Sequence, residues 1–473
     1  MQDLGRRAGL RPAIAGRLTF VATALSVAVL SPAAAAASSA PRTFDTVMQK
    51  ARAGEPVIAV DPKVPGLLLE EDSAAIKVSR DYGHRWSVVA SGQVDPTVAI
   101  DSDGRFIAHS ATGGYLPLDG FWITTSTDEG ATWSAPVQTF QYPQIAKGTP
   151  IAWDRPWLGV DASTGTIYAS IAVHTEQPGA DLSDAATLVA FAGCHATLFT
   201  NALLSCGRRY VSASHDHGQS FGPAYPIDSA DYPDTMTGGF SGIPVAADGT
   251  LATSYYASSA PRRQCPCLIF ETSRDDGANW ARHVVADASP AVPTGPLTVL
   301  DDNPSRAPYI SPVISDSPSV ELGPYIAADP TRSGHFAVMI QDPSRTRLLL
   351  FQTGDGGAHW SRPAVLGSGP KNTVDRPWLA FATGGALIAF WRSDHSQEGD
   401  PFTTWVAVEP AGEHRFAAPV EVSGGVSPGS DNLQDDASFV AGDDSNAYAV
   451  WGDMRAGNQI EPWFGSYRYA PAG

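Results

Sequence analysis

Apolar and polar residues alternate in short blocks along almost the whole chain, and the blocks recur in a fixed order. Seven segments share an apolar run that ends in a turn rich in Asp, Gly or Ser, after which a second apolar run begins. They start at Pro56, Pro96, Pro156, Ile243, Tyr325, Pro377 and Ala437. Apolar runs of roughly four to eight residues between turn signals are typical of β-strands. The pattern therefore predicts seven pairs of consecutive strands.

A second motif follows most of these strand pairs. It reads Ser/Thr-x-Asp-x-Gly-x-x-aromatic and begins at Ser79, Ser126, Ser214, Ser273 and Thr353. Its Ser/Thr and Asp side chains can bond nearby backbone amides, and its glycine tolerates a positive φ. A β-rich run precedes and follows each copy, so the motif predicts a tight turn between the third and fourth strands of a unit. Because its aspartate is used by the turn, we do not expect the motif to carry chemistry.

A unit of four short antiparallel strands that repeats around a closed ring is a β-propeller. The chain is therefore predicted to be all-β, a single propeller of four-stranded blades. Seven blades are favoured, and six is the alternative if the first or the last unit is not a true blade. High glycine (45) and proline (38) counts fit many short strands joined by turns.

The last two units depart from the pattern. The sixth has an altered turn, EPAGEHRFAAPV, which begins at Glu409, and the seventh ends after WFGSYRY without such a turn. The segment near residues 42–53 is a candidate for the missing fourth strand and would close the ring. One closed ring leaves little room for a second domain, so the propeller should span residues 55–470, after an N-terminal segment of residues 38–54.

The N-terminus has the features of a secretory signal peptide, residues 1–37. Arg6, Arg7, Arg11 and Arg17 form a basic start, residues 18–30 form an apolar run, and small residues follow. The run is short for a membrane span, which makes a retained anchor the weaker alternative. We therefore expect a secreted or periplasmic protein that has no membrane attachment after cleavage. We also expect it to be a monomer.

The acidic composition limits the class of partner. The formal net charge is −18, and removing the four arginines and Asp3 of residues 1–37 takes away +3, which gives −18 − 3 = −21. A surface of this charge disfavours nucleic acid and anionic membranes. An anionic ligand would need a local basic pocket.

Four cysteines are present in a chain expected to be exported, which predicts two disulfides. A bridge between Cys265 and Cys267 would close only one residue and be strained. We expect both bridges to join the segment of Cys194 and Cys206 to the segment of Cys265 and Cys267.

The repeats resemble the sialidase-like β-propellers with Asp-box (BNR) repeats, over roughly residues 55–470. Sialidases of this family hold the substrate carboxylate with three arginines and use a tyrosine nucleophile with a glutamate partner and an aspartate acid/base. The resemblance therefore implies an exo-glycosidase that acts on terminal sugars, including acidic ones. One departure is clear, since Gly242 stands before Ile243-Pro244 where the family has Arg-Ile-Pro.

Topology places the candidate site. If the motif turns lie on one face of the ring, the starts of the innermost strands and the loops after the second strands lie on the other face. Glu70, Glu71 and Tyr255 are expected on that opposite face, together with the candidate catalytic residues. These are Asp154, Arg155, Asp375, Arg376, Arg392, Asp453 and Arg455, with Glu461 and Tyr467 as a Glu–Tyr pair.

Converging guanidinium groups on that face could grip a carboxylate bidentately. The alternative for the repeated Asp-Arg-Pro-Trp phrase is structural: each arginine pairs with its neighbouring aspartate or with carbonyl groups between blades. Asp101 and Asp103 fit a turn better than a calcium site, and no cofactor or metal is expected.

Two functions remain open at this point. The first is a secreted sialidase-like glycoside hydrolase, and the second is a non-catalytic extracellular propeller that binds glycans or protein partners. A catalytic pocket needs arginines, a carboxylic acid and a nucleophile in the central depression, whereas a binding module would present aromatic side chains or a broad rim there.

Overall fold

We describe a computed structural model of the chain. It describes residues 43–50, 52, 54–111, 120–140, 150–175, 208–227, 242–260, 263–287, 298–300, 309–311, 324–342, 346–367, 373–393, 400–428, 438–457 and 459–469. The predicted signal peptide lies outside these residues, as do Cys194 and Cys206, so the disulfide pairing remains a prediction.

The described residues form β-strands joined by turns. Strand β1 (Thr43–Val47) belongs to the last blade. Blade 1 holds β2 (Val57–Val60), β3 (Leu68–Glu71), β4 (Ala75–Ser79) and β5 (Ser87–Ser91). Blade 2 holds β6 (Val94–Ile100), β7 (Phe106–Ala111), β8 (Phe121–Ser126) and β9 (Val137–Gln138). Blade 3 holds β10 (Pro150–Val160), β11 (Ile167–Thr175), β12 (Arg208–Ser214) and β13 (Tyr225–Pro226).

Blade 4 holds β14 (Leu251–Ala260), β15 (Arg263–Ser273) and β16 (Ala281–Asp287), and its innermost strand is reduced to a bridge between Val245 and Leu251. A hairpin of β17 (Thr298–Leu300) and β18 (Tyr309–Ser311) follows. Blade 5 holds β19 (Tyr325–Ala328), β20 (Phe336–Gln341), β21 (Leu348–Thr353) and β22 (Ala364–Leu366). Blade 6 holds β23 (Val374–Phe381), β24 (Leu387–Ser393), β25 (Thr403–Glu409) and β26 (Val420–Glu421). Blade 7 holds β27 (Ser438–Gly442), β28 (Asn446–Asp453) and β29 (Glu461–Arg468).

Each blade is an antiparallel sheet, and the seven blades close into a ring. In blades 1 to 6 the strands follow chain order outward, whereas in blade 7 the outermost strand is β1. The prediction of a seven-bladed all-β propeller is confirmed, and the six-bladed alternative is wrong. The ring is closed by packing between the last blade and the first, where Ile58 and Leu68 of blade 1 contact Tyr448, Val450 and Phe464 of blade 7. Within the described residues there is no helix of the length and apolarity that a membrane span requires.

The outer strand of blade 7 comes from the N-terminal segment. Strand β1 pairs antiparallel with β29, from Thr43 opposite Tyr467 to Val47 opposite Trp463. The ring of Phe44 stacks on His84 of blade 1 with centroids 4.2 Å apart. The first and last parts of the propeller are therefore joined by backbone hydrogen bonds as well as by side-chain packing.

The five motif turns share one set of hydrogen bonds, which the second copy illustrates. The Ser126 hydroxyl donates to Asp128 Oδ1 (2.8 Å) and accepts from the Gly130 amide (2.9 Å), while Asp128 Oδ1 accepts from the Thr132 amide (2.8 Å). Gly130 has φ 86°, and a Cβ there would lie 2.9 Å from a methyl carbon of Val89 in blade 1. The motif thus fixes the turn and lets neighbouring blades approach closely.

We expect the substitution Asp128→Ala to lower the melting temperature without changing ligand binding by the folded protein. The aspartate accepts bonds from the Thr132 amide and hydroxyl and from Ser126, and none of these bonds survives in alanine. Differential scanning calorimetry measures the effect. Asp103→Ala is the matched control, since Asp103 lies in an exposed turn of the same face. A variant of native stability that has lost ligand binding would contradict a purely structural role.

The topology gives the ring two faces. The turn face carries the five motif turns and the turns between the first and second strands of each blade. The start face carries the beginnings of the innermost strands and the connections between the second and third strands. The sequence-predicted site belongs to the start face.

Candidate functional site

Aromatic side chains fill the centre of the ring. The indoles of Trp157 (blade 3) and Trp378 (blade 6) stack with centroids 5.1 Å apart. Phe439 of blade 7 lies 4.2 Å from Trp378, and Tyr325 of blade 5 lies 5.6 Å from it on another side. All four side chains come from innermost strands, which surround the ring axis. Trp378 and Phe439 keep part of their surface exposed, so the centre presents aromatic surface.

The innermost strands near this cluster begin with a repeated distortion. The strand register shifts between Val94 and Thr97, between Asp154 and Trp157, and between Asp375 and Trp378, each time around a residue that precedes proline. Such β-bulges redirect a side chain and are frequent beside functional sites.

The backbone at these positions is also strained. Asp95 and Arg376 have φ values of 50° and 46°, and Glu55, which precedes Pro56 at the start of blade 1, has a φ of 58°. A left-handed backbone is uncommon for residues other than glycine and costs on the order of 1–3 kcal/mol. Strain of this kind concentrates at functional sites, so the starts of these innermost strands are candidate positions for the site.

Two carboxylate side chains lie together at this place. Glu55 and Asp95 are 5% and 9% exposed, and the Asp95 amide donates a hydrogen bond of 3.3 Å to Glu55 Oε2. With Pro156, Trp157 and Phe439 they line a recess of about 10 Å³ on the start face, which has room for about one water molecule. Neither acid is among the site residues predicted from the sequence, although a residue followed by proline before an apolar strand recurs in four blades and is the signal that marks them.

The structure places two of the predicted arginines between blades 6 and 7. Arg392 is fully buried, donates to Ser438 Oγ from Nε (3.0 Å) and Nη2 (2.8 Å), and lies over the ring of Phe402 at 4.5 Å. Arg455 donates to Asp453 (2.8 Å) and forms an ion pair with Asp45 of β1 (2.9 Å). Both guanidinium groups contact neighbouring blades, which fits a structural role, and the expectation that they grip a ligand stays a prediction.

The two Asp-Arg-Pro-Trp phrases remain beside the centre. Asp375 and Arg376 are both buried, with Arg376 Nε 3.8 Å from Asp375 Oδ2, and Trp378 two residues later belongs to the aromatic cluster. Asp154 and Arg155 lie on β10, where the structure describes the backbone only, so their side chains lie outside the description.

The proposed Glu–Tyr pair does not form. Glu461 and Tyr467 lie near opposite ends of β29, and at about 3.3 Å per residue their backbones are about 20 Å apart. Glu461 is opposite Asp453 at the end near the start face, whereas Tyr467 is opposite Ala447 and packs in the core. Asp453 itself accepts hydrogen bonds from the Trp451 indole and from Arg455.

A tyrosine, a glutamate and two arginines do meet elsewhere, between blades 3 and 4. Arg282 donates to Glu271 Oε1 at 2.6 Å and to the hydroxyl of Tyr255, and Tyr255 packs against the apolar cluster that contains Trp157. Arg209 donates to Thr253 Oγ1 (3.1 Å). Burial lowers the pKa of Arg209 to about 9, against the influence of Tyr255. The residue types are those of a sialidase centre, but all four side chains are almost completely buried.

Across the described residues, no three His, Cys, Asp or Glu side chains are grouped as ligands of a metal ion.

No family model matches the chain, and no curated protein matches it. Among solved structures it is similar to a Hadza microbial sialidase, at 13% identity over 85% of this chain and 73% of the other, with a TM-score of 0.48. It is also similar to the leech intramolecular trans-sialidase, at 13% identity over 79% and 68% of the two chains, with a TM-score of 0.44. A third match is a PL25 ulvan lyase, at 11% identity over 80% and 79%, with a TM-score of 0.43. The resemblance to sialidase-like propellers is one of fold, and the propeller itself follows from the strand pairing.

Proposed function

We propose that this protein is a carbohydrate-binding propeller that acts outside the cytoplasm and holds a sugar at the centre of its start face. The observation that carries the proposal is the aromatic cluster of Trp157, Trp378 and Phe439 beside the carboxylates of Glu55 and Asp95. Ligand sites combine apolar and aromatic walls with a few fixed polar groups, and here the sugar would lie on the aromatic surface, because the recess itself has room for about one water molecule.

The chemistry of the two components matches that of a sugar. Aromatic faces provide apolar contact for the C–H face of a pyranose ring, and ionised carboxylates accept hydrogen bonds from its hydroxyl groups. Because the polar groups that line the recess are the acceptors Glu55 and Asp95, the favoured ligand of this site is a hydroxyl-rich sugar. Binding ranks above hydrolysis because Arg392 and Arg455 act between blades and Glu461 does not meet Tyr467.

We expect Glu55→Gln and Asp95→Asn each to weaken sugar binding by about one to two decades, since a hydrogen bond to a charged group is worth about 1.5–3 kcal/mol. Both substitutions keep the shape of the side chain, and glutamine retains an acceptor for the Asp95 amide. A glycan array identifies the sugar, and titration calorimetry then measures the affinity. Asp103→Asn, an exposed change on the other face, is the control. Unchanged affinity in both variants would refute this site.

A glycoside hydrolase is the second candidate, and the cluster of Tyr255, Glu271 and Arg282 favours it. Because the phenol is buried, a substrate would reach it only after the site opens. A panel of fluorogenic glycosides, sialosides included, separates the two functions. Turnover that disappears in Tyr255→Phe establishes the hydrolase, whereas sugar binding without turnover establishes the binding protein.

A further inference from the structure

The altered turn of blade 6 has Glu409 at the position where the five motif turns have a Ser or Thr. In the five motif turns, the third strand ends on the Ser or Thr that caps the turn, as β21 ends on Thr353. Strand β25 ends instead on Glu409. The turn is still closed by a bond from the Ala417 amide to the Val408 carbonyl (2.8 Å), the counterpart of the bond from Ser361 to Gln352 in blade 5. The turn thus closes without the Ser/Thr and Asp hydrogen bonds of the other turns, and the side chain of Glu409 can take another role.

The carboxylate of Glu409 points to blade 5. Gln352 Nε2 donates to both of its oxygens at 3.2 and 3.1 Å, and Gln352 Oε1 lies 3.2 Å from His335 Nε2. His335 Nδ1 lies 2.8 Å from Asp329. Four side chains therefore form one continuous hydrogen-bonded row, which fixes the orientation of the Glu409 carboxylate. Glu409 is only 7% exposed, and burial raises its pKa in spite of the bond from Gln352 and the nearby His414.

This row borders a groove between blades 5 and 6 on the turn face. The groove has a volume of about 630 Å³, and Leu350, Leu366 and Phe416 give it an apolar wall. A volume of this size is that of a small-molecule site. The groove lies across the ring from the start-face site, because the ends of the third strands and the beginnings of the innermost strands are on opposite faces.

The rim of the groove is basic, in a chain with a net charge of −18. Arg362, His414 and Arg415 are exposed there, and no hydrogen bond or ion pair engages their side chains within the described residues. Arg332 also lines the groove, although it is held by Asp329 at 2.8 Å. A local concentration of cations on an acidic protein favours an anionic ligand.

We propose that this groove is a second ligand site, which binds an anionic sugar with its acidic group at Arg362 and Arg415 and its hydroxyl groups at Glu409. The groove carries both basic side chains and the acidic Glu409, so neither a bare anion nor a neutral sugar suits it. A bare anion gains from the arginines but is repelled by Glu409, whereas a neutral sugar leaves the arginines without a partner. A ligand that carries both a negative group and hydroxyl donors satisfies both ends of the groove. Uronates and sulfated sugars share this chemistry.

Titration calorimetry of the mature protein tests the site with glucuronate, glucose 6-sulfate, glucose and inorganic sulfate as probes. We expect one or both acidic sugars to bind, and which of them binds identifies the acidic group. Arg362→Ala and Arg415→Ala should each weaken that binding about tenfold. Glu409→Gln should weaken sugar binding but strengthen the binding of inorganic sulfate, since it removes the carboxylate that repels a bare anion. Arg85→Ala, in a motif turn on the same face, is the matched control and should change nothing.

Several results would overturn the proposal: binding of none of the probes, equal binding of glucose and the acidic sugars, or inorganic sulfate binding as tightly as the sugars. Affinity that is insensitive to both arginine substitutions in folded protein would do so as well. The start-face site is tested separately, because Glu55→Gln and Asp95→Asn should leave the binding of acidic sugars in this groove unchanged.

Discussion

Replacing Lys77 with methionine should lower the free energy of unfolding by about 3–5 kcal/mol at neutral pH, because it leaves buried carboxylates without their counter-ion. Lys77 Nζ lies 2.8 Å from Glu70 Oε2 and also contacts Asp72, and all three side chains are completely buried in blade 1. Domains are stable by only about 5–15 kcal/mol, so the loss is a large fraction of the total. Chemical denaturation measures it.

The loss should depend on pH in a definite direction. Burial raises the pKa of Glu70, while Lys77 opposes this rise. Burial lowers the pKa of Lys77 itself, and the two carboxylates more than offset this, so that it is raised. Without Lys77 the folded protein holds a proton on Glu70 that the unfolded chain releases. Stability of the variant should therefore recover, relative to the parent, as the pH falls from about 8 to about 5.

Lys63→Met is the matched control for this experiment. Lys63 is 65% exposed and lies 3.9 Å from the exposed Asp103, so its loss should cost less than about 1 kcal/mol. Glu70→Gln combined with Lys77→Met should restore part of the lost stability, since one buried charge is removed with the other. A Lys77→Met protein that unfolds at the same denaturant concentration as the parent would show that the cluster is not a stabilising unit.

The architecture could be predicted from the sequence because it rests on local, repeated chemistry. Ser126, Asp128 and Gly130 form their turn through bonds within five residues, and the same residue types do so four more times. The apolar blocks between turns fix the strands, and their repetition fixes the number of blades. None of this depends on which side of a blade a given side chain faces.

The candidate site could not be predicted in the same way, because its composition depends on which side of a blade each side chain faces. The sequence places Arg392 near the end of its strand facing the start face, but β-strand alternation decides whether it points to the axis or to a neighbouring blade. It lies with Phe402 and Ser438 between blades. Glu55 and Asp95 reach the centre through bulges and left-handed backbone before proline. Such distortions are set by tertiary packing, and the residue types alone do not reveal them.

Arg455 joins the N-terminal strand β1 to blades 6 and 7. Its guanidinium donates to Asp453 (2.8 Å) and to the Gly425 carbonyl (3.1 Å), forms an ion pair with Asp45 of β1 (2.9 Å), and lies 4.0 Å from the Trp463 ring centroid. It thus connects blade 6, blade 7 and the N-terminal strand. A planar group with several fixed donors makes these contacts together, whereas a lysine would make only some of them.

We expect Arg455→Ala to lower the free energy of unfolding by about 3 kcal/mol or more, since it leaves the buried Asp453 unpaired, and Arg455→Lys to rescue little of this loss. In a double-mutant cycle with Asp45→Asn, the two changes should be less than additive by about 1–2 kcal/mol. Arg80→Ala is the matched control, because Arg80 also joins two blades, to Glu129 at 2.6 Å, but in an exposed position where a pair is worth less than about 1 kcal/mol. Sugar binding per folded molecule should be unchanged in every variant. If Arg455→Ala kept the parent's melting temperature and lost carbohydrate binding, Arg455 would belong to the ligand site, as its sequence position first suggested.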